Sequence, residues 1–118
     1  ASAKYMTRPV ILTNDATALD IRVSANVRST AAVKMYYRVT SAEDARKLGD
    51  VAWVGFNSDG TSDATVEPAI DNLTFKEHKF SASSLPEFTA FQLKVVLTGT
   101  NSSYPPLLKD MRGIALAV

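Results

Sequence analysis

Phe91-Gln92-Leu93-Lys94-Val95-Val96-Leu97 decides the fold. Phe91, Leu93, Val95 and Leu97 fall on alternate positions, with Gln92, Lys94 and Val96 between them. A period of two places one set on each face of an extended strand, so this segment reads as a core strand with one apolar face. Gly99-Thr100-Asn101 then ends it with turn chemistry.

The same alternation recurs along the chain. Leu19, Ile21 and Val23 alternate with Asp20 and Arg22, and Val33, Met35, Tyr37 and Val39 alternate with Lys34, Tyr36 and Arg38. The closing segment sets Ile114, Leu116 and Val118 on one side and the small Ala115 and Ala117 on the other. Weaker strand candidates lie at 8–13, 51–56 and 73–80, rich in β-branched or aromatic residues. Turn signals separate them: Asn14-Asp15 after the first strand and Asn57-Ser58-Asp59-Gly60 after the Trp53 strand. Roughly seven or eight short strands with such punctuation predict an all-β antiparallel sandwich, jelly-roll-like, rather than a parallel α/β sheet. One short helix is expected over 42–48. Ser41 is its cap, Glu43 and Asp44 lie in its first turn, Arg46 and Lys47 in its last, and Gly49 ends it.

At 118 residues the chain is the size of one domain, and 46% hydrophobic residues suffice for a packed core. It reads as a single sandwich domain over 1–118, either whole or as a terminal module of a longer polypeptide. Thirteen basic against twelve acidic residues leave a net charge of +1, with the basic residues scattered. That balance supplies no counterion-release drive toward nucleic acid, and no apolar run is long enough to insert in a membrane. The chain has no cysteine, which removes disulfides, thiolate metal sites and a cysteine nucleophile.

The common chemistries each lack a part. His78, the single histidine, lies in Phe75-Lys76-Glu77-His78-Lys79-Phe80 without a Gly-x-Ser-x-Gly elbow anywhere, and reads as an exposed polar-face residue. The loop from Gly55 to Asp63 fails the calcium template: with Gly60 at the loop glycine, the first ligand position is Gly55 and the last is Val66. It reads as a surface turn. Asp50, Asp59, Asp63, Glu67, Asp71, Glu77 and Glu87 read as a solvated charged face, not a hydrolase pair. The five glycines are single, so no phosphate loop exists. Among the aromatics, Tyr37 shares parity with the core, Tyr36 points outward, and Trp53, between apolar neighbours, is expected in the core. Asn72-Leu73-Thr74 and Asn101-Ser102-Ser103 fit the short glycosylation pattern. No catalytic, cofactor-binding or metal-binding residue is assigned.

Phe88-Thr89-Ala90-Phe91-Gln92-Leu93-Lys94-Val95-Val96-Leu97, the loop Asn101-Ser102-Ser103-Tyr104-Pro105-Pro106 and the ending Leu108-Lys109-Asp110-Met111-Arg112-Gly113-Ile114-Ala115-Leu116 resemble the closing segment of virion structural proteins of contractile-tailed phages, cyanophages especially. Lys4-Tyr5-Met6-Thr7-Arg8-Pro9-Val10 and Met35-Tyr36-Tyr37-Arg38 look like the same family's opening strand and its Tyr-Tyr-Arg strand, with a divergent middle over 55–86. The resemblance implies a non-enzymatic baseplate or tail-fibre component located in the virion. Its expected partners are other virion proteins and copies of itself. The strand–loop–Pro–strand ending is also similar to that of galactose-binding-like jelly rolls, which keeps a host surface glycan as the alternative ligand. In either reading Tyr104-Pro105-Pro106 runs outside the ladder, because neither proline has an amide donor. Lys109, Asp110 and Arg112 are surface-pair or loop-anchoring residues.

Overall fold

The computed structural model describes residues 2–28, 31–41, 45–64, 66–71, 73–99 and 107–116. Its eight strands are β1 (Ser2–Met6), β2 (Val10–Ala16), β3 (Ala18–Asn26), β4 (Ala31–Thr40), β5 (Val54–Gly55), β6 (Lys76–Ala82), β7 (Phe88–Gly99) and β8 (Leu107–Leu116). All pairings are antiparallel. One sheet runs β1–β7–β4–β5 with β2 also on β7, and the other runs β6–β3–β8. Thus 2-7-4-5 faces 8-3-6, the strand order of a jelly roll, with β1 placed beside β7. Apart from β1 to β2 and β4 to β5, successive strands alternate between the sheets, so the two layers are tied together at both ends.

The opening stretch is the centre of the first sheet. β7 pairs with β1 and β2 on one side and with β4 over Ala31↔Gly99 to Thr40↔Ala90 on the other. Leu93, Val95 and Leu97 face inward with Met35 and Tyr37 of β4. Leu19, Ile21, Val23 and Phe80 close the core from the second sheet. Burying side chains of this size contributes roughly 1.5–3 kcal/mol each before entropy is counted.

Several sequence expectations shift in detail. The 8–13 candidate shifts to β2, and β1 lies before it, with Thr7-Arg8-Pro9 forming the gap between them. Pro9 has no amide to donate there. Thr7 bridges the gap: its N–H donates to Leu93 O at 3.0 Å, and Leu93 N–H donates to Thr7 Oγ1 at 3.0 Å. Asn14-Asp15 is no turn. It lies inside β2, in a register shift between Ile11 and Ala16, so the extra residues form an irregular bulge. The 51–56 candidate shrinks to β5, and 73–80 shifts to β6.

On β8 the register with β3 sets Met111, Gly113 and Ala115 opposite Val23, Ile21 and Leu19. The small residues therefore take the core side, and Leu116 is exposed. Space favours this side for the small residues: a Cβ on Gly113 would come within 2.8 Å of Ile21 Cδ1. The helical segment is a 3₁₀ helix at Ala45–Asp50, anchored by buried Leu48 and continuing through Gly49. Val51 N–H donates to Leu48 O at 3.1 Å, the i→i−3 pattern of so short a piece. The expected start of that helix at 42–44, both glycosylation-pattern asparagines and the Tyr104-Pro105-Pro106 loop lie outside the described residues.

Candidate functional site

The two outer faces of the sandwich differ in charge balance. On the second sheet, Arg22 meets Glu77 at 3.1 Å and Asp20 at 3.7 Å, and Arg112 meets Glu77 and Asp110 at 4.0 Å each. These pairs, across strands to Glu77 and along β3 and β8 to Asp20 and Asp110, are mostly exposed and worth little individually, but they neutralise one another. The 3.7 Å contact is an ion pair and not a hydrogen bond, which leaves the enclosed Asp20 Oδ1 without a donor.

The outer face of the first sheet is less compensated: among the described residues, Asp59 of the loop after β5 lies within electrostatic reach of Lys34. β1, β4, β5 and β7 carry Lys4, Lys34, Arg38 and Lys94 and no carboxylate. Register aligns them in rows. Lys94 lies between Met6 and Tyr36, Val96 between Lys4 and Lys34, and Gln92 opposite Arg38. Trp53 is one residue before Val54, which pairs with Tyr37, so it falls beside Arg38. It is half-buried there, outside the core cluster, contrary to its expected core position. The cause is register: the β4–β5 pairing carries Trp53 to the parity of Tyr36 and Arg38.

Cations cover the aromatic rings of this face. The Arg38 guanidinium carbon lies 4.2 Å from the Trp53 ring centroid, and Lys94 Nζ lies 4.9 Å from both the Trp53 and the Tyr36 centroids. Arg38 is held from a second side. Its Nε and Nη2 donate to Gln92 Oε1 at 2.9 and 2.6 Å, and Gln92 Nε2 donates to Thr7 O at 2.7 Å. Buried Gln92 therefore links the β1–β2 gap to the guanidinium. Loss of solvent, then the charges of Lys4 and Arg38, hold the Lys94 ammonium below the ordinary lysine value. Tyr36 points outward as expected. Sequence reasoning missed Gln92 and Thr7, whose only signal was a polar residue at the centre of an apolar strand and a hydroxyl two residues before Pro9.

The loop after Trp53 is closed on itself. Asp63 receives Ser81 N–H and Asn57 Nδ2 on Oδ1 at 3.1 and 3.0 Å, and Ser81 Oγ on Oδ2 at 2.6 Å. Partial burial alone would raise this carboxyl, but the Ser81 and Asn57 donors outweigh it and hold it low. The Thr61 hydroxyl and N–H do the same for Asp59. Both oxygens of Asp63 are thus spent on hydrogen bonds that shape the turn. Among the described residues, no group of three or more His, Asp or Glu could hold a metal ion.

His78 is buried, not exposed. Its β6 register opposite Val23, with Phe80 opposite Ile21, gives it core parity, while Glu77 and Lys79 face out. Burial pushes its imidazole below the ordinary 6.5. The unfolded chain then takes up the proton first, so the stability His78 contributes is complete above about pH 6.5 and is lost as pH falls below it. Urea unfolding of the wild type is expected to shift to lower denaturant between about pH 7 and pH 5, and His78→Leu to flatten that shift. An equally steep fall in His78→Leu would place the cause elsewhere.

No family model, curated protein or solved structure matches the chain.

Proposed function

We propose that this chain is a non-enzymatic structural module of a contractile-tailed phage virion, working in the baseplate or tail fibre through protein–protein contacts. The sequence resemblance supports the virion assignment. The observation that carries the contact role is the edge of the first sheet that no other described strand pairs with. There Tyr5, Met6, Val10 and Ile11 are 54, 63, 39 and 64% exposed in consecutive strands β1 and β2. An uncovered edge strand offers a row of unpaired backbone donors and acceptors, and apolar side chains along it favour a partner over water. Other virion proteins, and copies of this chain, are the partners that this edge suits.

Mass spectrometry of gradient-purified virions is expected to detect the chain together with the known tail proteins. Its presence in lysate debris and absence from virions would end the assignment. A host surface glycan is the second reading, motivated by half-buried Tyr36 and Trp53 beside Arg38 and Gln92 on one outer face. A glycan array without signal removes it.

A further inference from the structure

We infer that the β1 edge takes an extended segment of a different protein, added as a further strand, with acidic side chains at the alternate positions facing the Lys4–Lys94 surface. This rests on the protein-contact part of the reading above, not on the virion assignment.

Strand addition continues the rows of the existing sheet. A segment paired to β1 would place its outward side chains next to Lys4 and Met6, in the rows that already run through Lys34–Val96 and Tyr36–Lys94. Among the described residues, Lys34 in those rows lies within electrostatic reach of Asp59, while Lys4, Lys94 and Arg38 have no carboxylate on β1, β4, β5 or β7. Lys94 is crowded by Lys4 and Arg38. Incoming carboxylates relieve that repulsion, and charge complementarity then selects the partner.

The same charges argue against a second copy. Antiparallel β1–β1 pairing about a two-fold axis would set Lys4 across from, or diagonal to, its symmetry mate on the same face. Like charges so placed oppose pairing. They also argue against a neutral sugar, because Arg38 and Lys94 already lie over the Trp53 ring and Lys94 over the Tyr36 ring. The rings hold cations in place, and the Arg38 guanidinium on Trp53 is already fixed by Gln92 through Nε and Nη2 and by Val51 O through Nη1.

Trp53 is the single tryptophan, so its fluorescence reports on this face. Titration with a short synthetic peptide alternating Glu and Val is expected to change that fluorescence, with affinity falling as salt rises. A Lys–Val peptide should have no effect. The double variant Lys4→Glu/Lys94→Gln should weaken binding at least about tenfold, with its melting temperature and near-ultraviolet circular dichroism checked in parallel. Lys4→Gln alone, on the exposed edge strand, should reduce the salt dependence if the double variant does not fold. Methylating alternate amides of the Glu–Val peptide should abolish binding, since strand addition needs them.

Equal binding of the Lys–Val or the methylated peptide overturns the inference. So does undiminished binding by the folded double variant, or binding of alginate or heparin in place of the peptide. A wild-type dimer cross-linked through β1 overturns it as well. None of these outcomes depends on whether the chain is found in virions.

Discussion

Phe56→Ala is expected to cost about 3–5 kcal/mol of unfolding free energy, measured by urea denaturation. Phe56 is fully buried but belongs to no strand, and it starts the 3₁₀ segment Phe56–Ser58 after β5. Its ring centroid lies 4.8 Å from Tyr37 of the first sheet and 5.9 Å from Phe80 of the second, both edge-on. One side chain thus fills the space between the layers where β5 is only two residues long. Truncation removes both aromatic contacts and leaves a cavity that the flanking sheets can close only by moving together. Phe56→Leu should cost markedly less. A loss under about 1 kcal/mol for Phe56→Ala would mean that the surrounding loop collapses into the space.

The loop that delivers Phe56 is held by backbone constraints. Gly60 adopts φ +89°, and a Cβ there would meet Lys34 Cβ and Tyr36 Cζ at 3.2 Å. Asn57 and Ser58 also have positive φ, a conformation that side chains of this polarity tolerate better than β-branched ones. Gly60 N–H donates to Phe56 O at 2.7 Å, and Met35 N–H donates to Gly60 O at 2.9 Å. The loop is therefore bound to β4 while its phenylalanine enters the core.

Asn26→Asp is expected to destabilise by about 3 kcal/mol or more, although it changes almost no volume. Asn26 is 1% exposed at the end of β3, and its Nδ2 donates to Asp71 O and Thr74 O at 2.7 Å each. The substitution replaces both donors with an oxygen facing two carbonyl oxygens. It also disturbs the 69–74 segment, where Ala69 N–H donates to Val27 O at 2.8 Å and Asp71 Oδ1 accepts the N–H groups of Leu73 and Thr74.

The pH dependence of this variant separates electrostatics from shape. A buried carboxyl facing carbonyls favours its protonated form, so its folded pKa lies above the ordinary aspartate value near 4. The folded state then binds the proton more tightly, and stability falls as pH rises past that range. The gap between wild type and Asn26→Asp should therefore be widest near neutral pH and narrow on acidification. A gap of constant size would show that the charge of the carboxylate is not its cause and that the lost hydrogen bonds are.

The alternating strands β3, β4 and β7 were legible because each has one wet and one dry face, and period-two patterning records that difference directly. Tyr37 in the core and Tyr36 outside follow from the same parity. His78 misled because its neighbours in sequence are charged, yet those neighbours occupy the opposite face of β6. Trp53 misled for a related reason: flanking apolar residues say nothing about parity in a strand of two residues. Gln92 was unreadable, since its partners Thr7 and Arg38 stand 85 and 54 positions away in the chain.

The amino-acid sequence by itself determined that this is an antiparallel all-β protein with alternating faces and turn residues between most strands. Those are local properties, set by side-chain direction and backbone preference within a few residues. Only the tertiary structure decided that β7 stands at the centre of the first sheet and that β1 and β2 lie at an edge no other described strand pairs with. It also decided that Arg38 and Lys94 converge around Trp53 and Tyr36, with Lys4 close to Lys94. Convergence of that kind depends on which strand lies beside which, and on a register that shifts every side chain to the other face when it slips by one residue.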